Sequence, residues 1–262
     1  MSRIQTRAAE AEAGESLLLR LLWTPINAVQ LLYTLLWSAA CISVALAAYA
    51  VTRRRRLPLA MARRLWAPGL LRGAGARLVV EGSERVTGGA QFFVANHQSM
   101  IDVPALFAAL PVELHFIVKK ELRQVPFLGW YVRTMGMIFV DRRARVDAMA
   151  EVRRAAALIR RGRSVVSFPE GTRSKDGSVG PFKAGAFVAA IEAGVPVVPV
   201  AVSGAGAVLP PQGFSVRPGT IRVAVGEPIP TAGFTLERRS ELAALARSRV
   251  AELHDALRRA AD

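Results

Sequence analysis

Seven short apolar runs punctuate the chain between residues 77 and 225, at 77–80, 92–95, 115–118, 137–140, 164–168, 197–202 and 221–225. Each is too short for a helix and rich in Val, Ile or Phe, as buried strands are. Longer stretches of helical periodicity separate several of them, at 103–109, 146–161 and 184–193, and a last one runs from 236 to about 259. Gly162 follows the second of these as a helix C-cap would. Alternation of this kind predicts an α/β fold, a mostly parallel sheet flanked by helices. The proline- and glycine-containing stretch LPPQGFSVRPGT, 209–220, reads as a loop within that fold.

The N-terminal pattern is different. From residue 21 to 52 there is no charged side chain, only a dense run of Leu, Ala, Val, Ile, Trp and Tyr. As one helix it would reach about 48 Å, against a hydrocarbon core of about 30 Å. Pro25, Asn27 and Gln30 therefore suggest a break, leaving either a span from 29 to 51 or two half-inserted helices. The arginines that follow, Arg53–Arg56 with Arg63 and Arg64, are of the kind retained on the cytoplasmic side. The expected organisation is a membrane-embedded helical segment at 1–72 and an α/β domain at 73–262, on the cytoplasmic face.

Charge adds a constraint on partners. Thirty-five Lys and Arg against 20 Asp and Glu give a formal net charge of +15, which favours anionic surfaces or ligands. Nucleic acid fits less well than membrane, because no aromatic-rich strand or binding motif accompanies the arginines. The lone cysteine, Cys41, excludes an intramolecular disulfide framework and a cysteine-based zinc cluster. With no P-loop and no metal-spaced His/Cys cluster, no cofactor is expected.

Within this frame the chain has only three histidines, and one of them, His97, stands where an apolar run ends, in QFFVANHQSMID. Positions five apart on an ideal helix point about 140° away from each other. His97 and Asp102 can meet only if a loop precedes the helix, and residues 96–100 supply one. Pro104 then suits the first helical turn. Asp102 would stand at or next to the N-cap, so its simplest reading is a cap and the alternative is a catalytic pair with His97. A second segment, SFPEGTRSKDG, places Glu170, Gly171, Thr172 and Arg173 just past another apolar run. Gly171 permits close backbone approach and Arg173 offers a fork of donors suited to phosphate. GMIFVDRR ends a third run on Asp141 and Arg142, and VPVVPV is a buried fourth. Open α/β sheets bind ligands beyond the carboxyl ends of their strands, which is where these polar groups fall.

Four blocks in this order, NHQSMID, GMIFVDR, FPEGTRS and VPVVPV, resemble those of the PlsC family of 1-acyl-sn-glycerol-3-phosphate acyltransferases, with the HxxxxD motif at His97 and Asp102. The segments 118–130 and 180–200 add to the likeness, which runs from about residue 75 to 230. The resemblance implies that His97 acts as general base on the free hydroxyl of a lysophospholipid, which attacks an acyl thioester directly. Asp102 would orient the ring and stabilise the imidazolium. It further implies that Arg173, helped by Lys119 or the adjacent Lys120, holds the acceptor's phosphate, that Glu170, Gly171 and Thr172 shape the acceptor site, and that Arg142 adds positive charge. Lys183 is a further candidate, with a plain surface role as its alternative. The implied product is phosphatidic acid from lysophosphatidic acid, and the implied donor is acyl-CoA or acyl carrier protein.

Residue chemistry supports the role independently, since imidazole titrates near the operating pH and a carboxylate beside it performs the same service in serine hydrolases. A serine lipase is disfavoured, because G-x-S-x-G does not occur. Acylation of another lysophospholipid or lyso-aminolipid, and thioester hydrolysis by water, remain alternatives. His115 and His254 read as structural. The sequence leaves acyl length and oligomeric state open.

Overall fold

The computed structural model describes residues 3–140 and 145–260. Helix α1, Arg3–Thr52, is followed by α2, Arg56–Met61, one π-helical turn over Ala62–Trp66, and α3, Ala67–Gly73. Strand β1, Ala76–Glu81, then opens an alternating series: β2, Phe92–Ala95; α4, Asp102–Ala109; β3, Leu114–Lys119; α5, Leu128–Met135; β4, Ile138–Val140; α6, Arg145–Arg160; β5, Ser164–Ser167. The chain ends with α7, Val188–Ala193; β6, Val197–Ser203; α8, Ala205–Val208; β7, Gly219–Val225; and α9, Arg239–Arg259.

The strands form one sheet in the order β1-β7-β6-β2-β5-β3-β4. Every pairing is parallel except β6 with β7, so β7 and its partner β1 run against the rest. β2, the strand that ends before His97, lies in the middle. Its side chains alternate between two layers, as the twofold period of a strand requires. Phe93 and Ala95 join Val166, Val198 and Val200 in a cluster shared with α4 and with α1–α3. Phe92 and Val94 join Val165 and Val197 in a second cluster beneath α6, α7 and the start of α9.

The apolar runs matched the strands to within about two residues at either end. Helix α5 was not anticipated: Pro126 and Gly129 obscure its short apolar pattern. The 184–193 segment is a 3-10 turn over Ala184–Phe187 leading into α7, rather than one helix.

The N-terminal segment departs from both expected arrangements. α1 continues through Pro25 without a break, and the limb that folds back on it is α2–α3. Its inward positions, Trp23, Asn27, Gln30, Thr34, Trp37, Cys41 and Ala45, recur every three or four residues. Two contacts show why this return limb needs glycine. A Cβ on Gly69 would collide with the Trp37 indole, and one on Gly73 with the Tyr33 ring. Polar ends of the aromatics are satisfied in the seam: the Tyr33 hydroxyl donates to the Gly69 carbonyl at 3.0 Å, Trp37 Nε1 to the Trp66 carbonyl at 3.1 Å, and Trp66 Nε1 to Ser38 Oγ at 3.1 Å. The other face of α1 leaves Leu22, Val29, Leu32, Leu35 and Leu36 exposed. Leu22–Thr52, 31 residues, is long and apolar enough to cross a membrane by length and composition.

Candidate active site

Sheet register brings the first and third motifs together. Val94 on β2 pairs with Ser167 on β5 in parallel, so His97 and Glu170 both lie three residues beyond a matched pair. There the His97 backbone N–H donates to Glu170 Oε1 at 3.0 Å, and the Ser174 N–H donates to the His97 carbonyl at 2.7 Å. On the other flank Asn96 continues the β2–β6 ladder with its side chain. Its Nδ2 donates to the Val202 carbonyl and its Oδ1 accepts from the Val202 N–H, each at 2.8 Å.

Asp102 is fully buried, and its Oδ2 lies 2.7 Å from His97 Nδ1. The same oxygen accepts the backbone N–H groups of Gln98, at 2.7 Å, and Ser99, at 2.8 Å. Asp102 is thus not the helix cap: Ile101 holds the cap position, and the carboxylate faces back into the loop that presents the histidine. A carboxylate accepting three donors orients the ring with Nδ1 protonated and leaves Nε2 able to accept a proton. Nε2 has no hydrogen-bond partner among the described residues. The Phe168 ring stacks on the imidazole, with centroids 4.0 Å apart and planes 15° from parallel, which fixes the remaining rotation. Only 12% of the His97 side chain is exposed.

Glu170 is buried behind this loop, and burial pushes its carboxyl above the usual range, opposed by the N–H donors of His97 and Gly180. Its position is that of a brace between the two motifs, shaping the site from behind. Gly171 adopts φ +75°, a conformation that favours glycine, and the Lys183 ammonium lies 2.7 Å from the place a Cβ there would occupy. Thr172 is exposed and Arg173 half-buried, and the Arg173 guanidinium has no partner among the described residues. Lys119 closes β3, whose Phe116 pairs with Val166 of β5, so it is level with Pro169 at the same crest. Arg142 lies outside the described residues; Val140, two positions before it, pairs with Lys119.

Sequence reasoning did not find the supports of His97. Gln98 is one: its Nε2 donates to the Gly177 carbonyl at 3.1 Å and lies 2.9 Å from His254 Nε2 on α9. Asn96 and Phe168 are others. All but His254 fall inside the quoted motifs, where their spacing was visible but not their partners; His254, 156 residues from Gln98, gave no signal. Ser99 is tied in turn, its Oγ donating to the Leu209 carbonyl at 2.6 Å.

A family model described as acyltransferase matches residues 77–203, which contain all of these groups except His254 and Leu209. Residues 77–203 thus form an acyltransferase-family domain. Among its relatives, the chloroplastic 1-acyl-sn-glycerol-3-phosphate acyltransferase of Brassica napus is 40% identical over 141 residues, 52% of this chain and 40% of that protein. The 1-acyl-sn-glycerol-3-phosphate acyltransferase of Saccharomyces cerevisiae is 32% identical over 181 residues, 68% of this chain and 60% of that protein. The crystal structure of the 1-acyl-sn-glycerophosphate (LPA) acyltransferase PlsC from Thermotoga maritima superposes with a TM-score of 0.73 at 29% identity, covering 87% of this chain and 95% of that one. The chain thus spans between about two fifths and three fifths of these curated relatives. Its acyltransferase fold is shared with PlsC nearly end to end.

Proposed function

We propose that this acyltransferase moves a fatty acyl group from an acyl thioester, acyl-CoA or acyl carrier protein, to the sn-2 hydroxyl of lysophosphatidic acid, giving phosphatidic acid. The observation that carries the reading is the 2.7 Å contact of His97 Nδ1 with a buried Asp102, beyond the end of the central strand. His97 Nε2 takes the proton of the acceptor hydroxyl as its oxygen attacks the thioester carbonyl. The tetrahedral intermediate expels the thiolate, which receives that proton from the imidazolium. Asp102 stabilises the imidazolium meanwhile, so no acyl-enzyme is required. Arg173 and Lys119 stand at the crest as the cations for the acceptor's phosphate, with Lys183 over Gly171 beside them and Arg142 the fourth cation of the motif set. Glu170, Gly171 and Thr172 give that pocket its shape.

Residues 1–72 supply the membrane face and residues 73–262 the catalytic one. The exposed leucines of α1 sit in lipid, and the acceptor enters from the leaflet. The donor arrives from the cytoplasmic side, and the arginines after α1 meet anionic headgroups. Purified protein in detergent, given labelled long-chain acyl-CoA with lysophosphatidic acid or with lyso-lipids lacking the phosphomonoester, tests the reading. Phosphatidic acid formed with the first acceptor alone supports it. Product from another lyso-lipid overturns the acceptor assignment, and hydrolysis with no acceptor used overturns transfer in favour of a thioesterase.

A further inference from the structure

The sheet separates two environments, and only one has been given a ligand. Phe168, the ring that stacks on His97, packs into the layer that holds α4 and α1–α3. The acceptor, on the reading above, comes from that side. The opposite layer is covered by α6, α7 and α9 and carries none of the exposed leucines of α1.

At the outer edge of this second layer, between α6 and strand β4, lies an open cavity of ≈280 Å³. It is lined by Gly136–Phe139 on one wall and by Arg154, Ala157, Leu158 and Arg161 on the other. β4 is the edge strand of the sheet, paired only with β3, so the N–H and C=O groups on its outer side are unused by the ladder. Arg154 on α6 and Arg161 just past its end are seven residues apart, about 10 Å along the helix axis. Both are exposed, and neither has a hydrogen-bond or ion-pair partner among the described residues. A third cation approaches the rim, since Arg55 Nη1 lies 2.9 Å from the position of a Cβ on Gly136. Among the described residues, no carboxylate lines the cavity. The nearby acid on the amino side of β3, Glu113, is already shared by Arg56 and Arg163.

Three cations around a cavity with no acid among its described lining residues, backed by free backbone donors, suit a ligand bearing several phosphates and a small heterocycle. The position suits one ligand in particular. β4 is three strand spacings from β2 in the sheet, about 14 Å, so a ligand held here needs a long arm to present a reacting group at His97. We propose that this cavity binds the phosphorylated adenosine end of an acyl-CoA donor, with Arg154 and Arg161 on its phosphates and the pantetheine arm crossing the crest toward His97. This rests on the acyl-transfer reading and extends it by choosing between the two thioester donors.

Binding can be read without turnover. Full-length protein in detergent is titrated calorimetrically with coenzyme A, with 3′-dephospho-coenzyme A and with pantetheine, alongside the variants Arg154→Ala, Arg161→Ala and the double variant. Coenzyme A should bind the parent tightest, and the double variant should lose at least tenfold in affinity. In kinetics the KM advantage of acyl-CoA over acyl-pantetheine should collapse in the double variant. Equal affinity of parent and double variant for coenzyme A would overturn the site, as would a parent that binds no coenzyme A. Loss of transfer from acyl carrier protein with coenzyme A binding intact would also overturn it, in favour of a protein-docking face. Absence of transfer from every thioester would instead remove the acyl-transfer reading, while the calorimetry still decides whether the cavity binds coenzyme A.

Discussion

Two histidines of the same sheet show how position decides what an imidazole can do. His97 lies just past the end of β2, in a loop where its Nδ1 meets a carboxylate and its Nε2 is left without a partner among the described residues. His115 lies inside β3, 1% exposed, with its Nδ1 unpartnered among the described residues. Burial, reinforced by the nearby Arg163 guanidinium, lowers its pKa to about 4. The strand body therefore holds a histidine neutral and inert. The loop beyond a strand supplies both the partner and the opening that chemistry needs.

The largest effect expected from this contrast is on turnover. His97→Ala should lower kcat by about 10³- to 10⁴-fold, the upper range for a positioned general base. Asp102→Asn should cost a comparable factor, because a neutral amide does not stabilise the imidazolium that forms and no longer fixes the ring's tautomer. His115→Gln should leave kcat within about twofold. Initial rates with lysophosphatidic acid and acyl-CoA check all three, and a large kcat loss in His115→Gln would break the comparison.

Next in size is a pH effect at His115. Its folded pKa is below its unfolded value of about 6.5, so between pH 6.5 and 4 the unfolded chain takes up the proton that the folded protein refuses. Stability from this group is complete above pH 6.5 and is lost as pH falls toward 4, by about 3 kcal/mol for a shift of this size. Chemical denaturation at pH 7 and pH 5 should show a smaller drop for His115→Gln than for the parent. Equal drops would mean that His115 is not held neutral.

Arg173→Ala should follow, raising KM for lysophosphatidic acid by about 10- to 100-fold with kcat less affected, as loss of a charge-assisted contact to phosphate does. The discriminating control is an acceptor without the phosphomonoester, whose KM should not move. If both acceptors lose equally, Arg173 supports the loop rather than the ligand.

The legibility of these parts followed their range in sequence. Strands could be read because a buried strand must be apolar along its own length, and the His97–Asp102 pair because a single short loop joins its members. The antiparallel entry of β7 beside β6 was not visible, since nothing local distinguishes the direction of a buried strand. Continuity of α1 through Pro25 was misjudged because the return limb that packs against it, with Gly69 and Gly73 shaped to Trp37 and Tyr33, lies about 30 to 40 residues away. Glu170 was read as lining the acceptor site, while its contact with the His97 N–H depends on the register of β2 with β5.

The smallest effect concerns the third histidine and asks whether the line between reactive and structural is sharp. His254 is 3% exposed on α9 and has its pKa lowered, by burial first and then by the Arg258 guanidinium. As a neutral ring it can accept from the Gln98 amide, which also donates to Gly177, while the Gln98 backbone N–H holds Asp102. α9 thus steadies the loop that carries the reactive ring without reaching the substrate itself. His254→Leu keeps the bulk and removes the acceptor. It should lower kcat by about threefold to tenfold with both KM values unchanged, as expected from one lost hydrogen bond at a positioning residue. His254→Gln, which can still accept, should recover most of the loss. A merely structural residue would instead show reduced stability with kcat per folded molecule unchanged, and failure of the glutamine to rescue would place His254 with His115 on the inert side.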